Sequence, residues 1–187
     1  MKNKVKLIVN PFIRIAGGQA LIWGFLGLIV STLLCWISGY HYHGLLHFGP
    51  APNPAWWCYL AEHLIVWLIP ALLFYLGGLF LSHSRIRVID VLGTVLFAQL
   101  PLLGMNLISL LPAMRMMSQM NMNMSPEEML AQPYFILAMI LTLLGLPFLI
   151  LTLIWMFNAL KVSCNLKQWK LSLIHISETT RPLYISY

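Results

Sequence analysis

YFILAMILTLLGLPFLILTLIWMFNAL, residues Tyr134 to Leu160, runs for 27 residues without a charged side chain. A bilayer core about 30 Å thick takes roughly 20 apolar residues of helix rising 1.5 Å each, so this stretch is long enough to cross with tilt to spare. Its apolar run is continuous rather than alternating, which argues against a barrel strand. In lipid a backbone must then satisfy its own hydrogen bonds as a helix. Working outward, the pattern recurs three times, over about Ala20 to Ile37, Trp56 to Leu81 and Val91 to Leu111, and Glu62 is the only formal charge inside any of the four. The expected fold is all-α, a polytopic transmembrane helix bundle of four spans, forming one domain over residues 1–170.

Composition agrees. Of 187 residues, 60% are hydrophobic and 9% charged, against about 25% charged in an ordinary soluble domain. Eleven Lys and Arg against five Asp and Glu give a formal charge of +6. The basic residues fall in short clusters between uncharged runs, which fits a bilayer and not nucleic-acid binding. Lys2, Lys4, Lys6 and Arg14 precede the first span, Arg85 and Arg87 lie between the second and third, and Lys161, Lys167 and Lys170 follow the fourth. The first connection carries no Lys or Arg and the third only Arg115. The positive-inside rule therefore predicts a cytoplasmic N-terminus. Asn10-Pro11 interrupts the short apolar run after the lysines, so the leader does not read as a cleaved signal peptide. Tyr40, Tyr42, Trp56, Trp57 and Tyr59 read as an aromatic belt at the outer interface.

Three motifs together resemble the bacterial members of the Yip family, the Ypt/Rab-interacting membrane proteins: Asn10-Pro11-Phe12-Ile13-Arg14 before the first span, Ser84-Arg85-Ile86-Arg87-Val88-Ile89-Asp90-Val91-Leu92-Gly93-Thr94 entering the third, and Asn158-Ala159-Leu160-Lys161-Val162 ending the fourth. The resemblance covers about Asn10 to Lys170. It implies a multi-pass protein of the bacterial cytoplasmic (inner) membrane, five spans in the complete family fold, and a non-enzymatic role in membrane organisation or scaffolding of partners. The last residues, Leu171 to Tyr187, begin LSLIHISE and resemble a translated transposase-type sequencing adapter. They are expected to be non-native, with a fifth span lost at the junction.

Chemical candidates are few. No phosphate-binding, nucleophile-elbow, H-E-x-x-H or paired-cysteine motif occurs, so neither an enzyme nor a cofactor is expected. His41, His43, His47 and His63, with Glu62, supply nitrogen and oxygen donors of the kind zinc takes, although their spacing matches no closed site. Glu62 is costly inside a span and should find a partner, a loop histidine being the nearest. Because neighbours on a helix point about 100° apart, Glu62 and His63 should not act as a pair. Met120, Met122 and Met124, in a methionine-rich third loop, are soft donors suited to Cu(I), set against an amphipathic interfacial segment with no metal role. The metal readings are the weaker ones. With Pro70, Pro101 and Pro147 breaking helices, they form the alternative of a transport component for a soft metal or small solute. Ala16, Ala20, Gly24, Gly27 and Ser31 make a small-residue stripe for close packing, either within the chain or in self-association. Gly77-Gly78 is expected to serve similarly. Cys35 and Cys58 are placed near enough in depth to pair, but free thiols are favoured. Ser125-Pro126-Glu127-Glu128 reads as a capped helix start, and Asp90 as an N-cap or a partner for Arg85 or Arg87.

Overall fold

The computed structural model describes residues 7–50, 55–82, 85–119 and 124–165. Met120, Met122, Pro52, Pro54 and the whole of 171–187 lie outside the described residues. After a single 3-10 turn, Pro11–Ile13, come α1 (Gly17–Ser38), a two-stranded antiparallel hairpin of β1 (Tyr40–Gly44) and β2 (His47–Pro50), α2 (Trp56–Leu81), α3 (Val88–Phe97), α4 (Leu102–Ser109), α5 (Pro112–Ser118), α6 (Pro126–Leu130) and α7 (Phe135–Ser163). The protein is mostly helical. Four segments are long and apolar enough to cross a membrane, namely α1, α2, α3 with α4, and α7, and the chain is a multi-pass membrane protein.

The third span differs from its expected form. Residues 98–101 interrupt it, so that Val91 to Leu111 is two short helices in place of one. Pro101 has no N–H to donate to Phe97, and its ring crowds the preceding turn. The chain answers with tighter bonds three residues apart, from Leu100 to Phe97, Leu102 to Gln99, Leu103 to Leu100 and Gly104 to Pro101, at 2.9–3.1 Å. Gln99 Nε2 donates to the Val66 carbonyl at 3.0 Å and ties the break to α2. Pro70 and Pro147, by contrast, lie inside α2 and α7, which run on through them.

This interrupted span is the centre of the bundle. Half of its most apolar window is buried in the protein, against 33% for α1, 22% for α2 and 17% for α7. The small-residue stripe of α1 explains the closest approach. Ala20 is fully buried, and a Cβ on Gly24 would stand 2.7 Å from Leu96 Cγ and 2.9 Å from the Phe97 nitrogen, while one on Gly27 would collide with Leu100. Gly93 answers from α3, where a Cβ would meet the Gly17 carbonyl at 2.5 Å. Ala20, Gly24, Gly27 and Ser31 are thus consumed inside the chain. Self-association through them is corrected, because the third span already occupies their face.

Gly39, in the left-handed region at φ +73°, ends α1 with its N–H on the Cys35 carbonyl at 2.9 Å. That left-handed turn sends the chain into the hairpin. Ser125 caps α6 as expected, in a reciprocal capping box with Glu128. Asp90 does not cap α3; Arg87 holds that position and Asp90 sits in the first turn. Of the glycine pair, Gly78 faces Cys164 and Ile86 at close range, whereas a Cβ on Gly77 meets nothing within 4 Å.

These contacts give a matched pair of substitutions. Gly93→Ala forces a methyl against α1 backbone and should destabilise by about 1–3 kcal/mol, whereas Gly77→Ala should be neutral or slightly stabilising through helix propensity. Thermal melts of both variants in one detergent check the difference.

Candidate polar site beneath the hairpin

Polar side chains in lipid have to find one another, and four elements bring theirs together under the hairpin. His63 of α2 donates Nδ1–H to the Tyr59 carbonyl at 2.7 Å, because a carbonyl only accepts. That leaves Nε2 bare, and it accepts from the Ser31 hydroxyl of α1 at 2.6 Å. Ser31 Oγ in turn accepts from Asn106 Nδ2 of α4 at 2.5 Å, and Asn106 Oδ1 accepts from the Tyr42 hydroxyl of β1 at 2.6 Å. With His63 Nδ1 donating and Asn106 Oδ1 able only to accept, the direction of each bond in the chain is fixed. Asn106 is fully buried and Ser31, Tyr42 and His63 nearly so. Beside them, against Gln99, lies a cavity of about 20 Å3, room for one water.

A second arrangement lies outside it. His41 of β1 is 1% exposed and faces the Glu62 carboxylate in a two-pronged contact, Nδ1 standing 2.9 Å and 3.0 Å from the two oxygens. The expectation that Glu62 meets a loop histidine holds, and Glu62 and His63 do point to different partners. The His41 ring stacks on Tyr59 with centroids 4.3 Å apart. Its Nε2 is buried and has no hydrogen-bond partner among the described residues, none of which brings a hydroxyl or thiol within bonding reach of it.

The histidines are therefore divided. His63 belongs to the inner chain, His41 to Glu62, and the rings of His43 and His47 neighbour each other at 4.9 Å on the exposed edge of the hairpin. Among the described residues, no three His, Cys, Asp or Glu side chains converge in a group able to hold a metal ion. Met124 is half-buried beside α6, and Met114 is core, 6% exposed. Cys35 and Cys58 are free thiols. The aromatic belt is corrected in part: Trp56 and Trp57 are exposed, but Tyr40, Tyr42 and Tyr59 are buried. Their hydroxyl and backbone groups are recruited inward, Tyr40 Oη donating to the Met114 carbonyl at 2.9 Å.

At the other end of the bundle the segment before α1 meets α7. Trp155 Nε1 donates to the Ile8 carbonyl at 2.7 Å and Asn158 Nδ2 to the Val9 carbonyl at 2.9 Å. Phe12 is 3% exposed and sits edge-on to Phe97 and Trp155, which stack on each other at 5.5 Å. The segment before α1 is thereby strapped across α7 and α3.

Comparison of the chain with protein-family models, with curated proteins and with solved structures found no match.

Burial pushes the Tyr40 phenol up to about 12 from its ordinary 10, and raises Tyr42 too, through burial first and the neighbouring Cys35 second. A phenol whose folded value lies above its unfolded one stabilises the fold fully below pH 10, and that contribution is lost as pH climbs toward the folded value. Stability in detergent should therefore hold to about pH 10 and fall between pH 10 and 12. Tyr40→Phe, followed by circular dichroism melts across that window, should flatten the fall while costing about 1 kcal/mol at neutral pH for the lost bond to Met114. In the inner chain, Asn106→Leu strands the Tyr42 and Ser31 groups and should cost more, about 1–3 kcal/mol per orphaned group.

Proposed function

We propose that this chain is a non-enzymatic, Yip-like integral protein of the bacterial inner membrane, with a cytoplasmic N-terminus, that organises or scaffolds partner proteins within the bilayer. The observation that carries the proposal is the inverse distribution of polarity and exposure. Polar side chains of the spans are spent inside the molecule, on one another beneath the hairpin and on backbone carbonyls elsewhere, whereas the most apolar stretches of α2 and α7 are only 22% and 17% buried. Leu73 on α2 and Leu143 on α7 are each 61% exposed. Apolar lateral faces offer association surfaces in lipid, where packing rather than hydrophobicity selects partners. The orientation rests on the placement of Arg14, Arg85, Arg87 and Lys161 at one end and the Lys- and Arg-free hairpin at the other.

The transport alternative draws less support from the helices. Two of the three prolines leave their helices continuous, and the break at 98–101 is closed by backbone bonds and by Gln99.

A photoreactive residue placed at Leu143 in living cells should yield a discrete protein adduct, while the same residue at the buried Ala138 should not. Purified protein in liposomes should carry no Cu(I) flux. A flux abolished by replacing Met120, Met122 and Met124 would overturn the scaffolding reading in favour of transport.

A further inference from the structure

On the lipid-facing side of the bundle, α2 presents Leu68, Leu72 and Tyr75, and α3 presents Val88, Val91 and Leu92, around a hollow of about 280 Å3. Residues three and four apart share one face of a helix, so each set forms a continuous wall. Ala71, 1% exposed, lies between the α2 residues at the bottom and keeps the hollow open. The Trp67 indole donates to the Leu92 carbonyl at 3.0 Å, which sets Leu92 level with the upper end of the α2 wall. Val88, one turn earlier on α3, and Tyr75, two turns later on α2, therefore share the opposite end.

That end is where charge gathers. Arg87 is the residue immediately before Val88, and Arg85 stands two further back; both are exposed. The nearest acid in sequence, Asp90, is turned away toward the start of α1, its Oδ1 lying 2.9 Å from where a Gly17 Cβ would stand. Neither arginine is ion-paired among the described residues. Tyr75 lines that end of the hollow and is part-exposed, and no hydrogen bond of its hydroxyl to a described residue is seen. An apolar slot with Tyr75 and Val88 at one end, next in sequence to two exposed arginines that have no ion pair among the described residues, matches an anionic amphiphile, tail inward and head toward the arginines.

We propose that this groove is a binding site for an anionic phospholipid of the surrounding bilayer. One acyl chain lies between the α2 and α3 walls, the phosphate and headgroup are held by Arg85 and Arg87, and Tyr75 donates to an ester or phosphate oxygen. A helix from another protein fits the groove less well. Close helix contacts in lipid use small residues on the lips as well as the floor, and here the lips are Leu, Val and Tyr.

The test uses the full chain, purified in a mild detergent and offered phosphatidylglycerol and phosphatidylcholine of identical acyl chains in equal amounts, with retained lipid read by native mass spectrometry. Phosphatidylglycerol should be retained about tenfold over phosphatidylcholine. The double variant Arg85→Gln, Arg87→Gln should bring the ratio to about one, and Ala71→Leu, which fills the floor, should lower retention of both lipids. Equal retention by the unaltered chain overturns the proposal, as does a preference that survives the double variant. So that a variant failing to fold leaves the proposal falsifiable, a photoreactive phosphatidylglycerol is also crosslinked to the unaltered chain. Labels mapping to α3 or to Leu68 through Tyr75 support the site; labels confined to α7, or a chain-to-chain adduct from a photoreactive Leu72 in place of a lipid adduct, overturn it.

Discussion

Asn106 is the residue on which the arrangement of the spans depends. A buried amide in hydrocarbon costs several kcal/mol if its groups go unmet, and here both are met by side chains from other elements, Ser31 of α1 and Tyr42 of β1. Ser31 passes the demand to His63 of α2. One amide thus fixes the relative depth of α1, α2 and α4 and the position of the hairpin above them. Apolar packing alone would leave these helices free to slide, since lipid tails are as good a partner as leucine. A directional chain of bonds removes that freedom.

Two further features follow from that fixed depth. With Ser31 opposite Asn106, the glycines one and two turns before it on α1 come level with α3 and with the residues of the break, and the close approach at Gly24 and Gly27 becomes possible. The hairpin, in turn, is held from beneath by Tyr42 and from its flank by His41 against Glu62. A carboxylate near the end of a span is tolerable on those terms: it is part-exposed, and its histidine partner is buried against the Tyr59 ring.

The four spans were legible because charge-free length is a property of sequence alone. Trp56–Leu81 coincides with α2, and the capping box at Ser125 was readable because its bonds are local. The break at 98–101 was less so. Proline occurs near the middle of three spans, and only the one beside Gln99, where a side chain reaches a neighbouring backbone, ends its helix. Ser31 reads as a small residue when only α1 is considered; its polar role depends on Asn106, 75 positions away. Tyr40 and Tyr42 read as belt residues because an amphipathic ring after a span has that meaning unless a hairpin folds it inward. The signal that was present, and that points to the polar site, is the presence of an amide, Asn106, and an imidazole, His63, inside spans that are otherwise mostly apolar.

The two ends of the bundle are stabilised by different physics, and this bears on what the middle is left to do. Beneath the hairpin, side chains bond to side chains. At the other end, indole and amide donors on α7 capture the carbonyls of Ile8 and Val9, and Phe12 fills the space against Phe97 and Trp155. An N-terminal segment held this way joins α7 to α3 without using their lipid-facing sides. Both clamps therefore act at the ends or toward the centre of the molecule. The outward faces of α2 and α7 take no part in either clamp, and substitutions there can be selected by whatever lies beside them in the membrane.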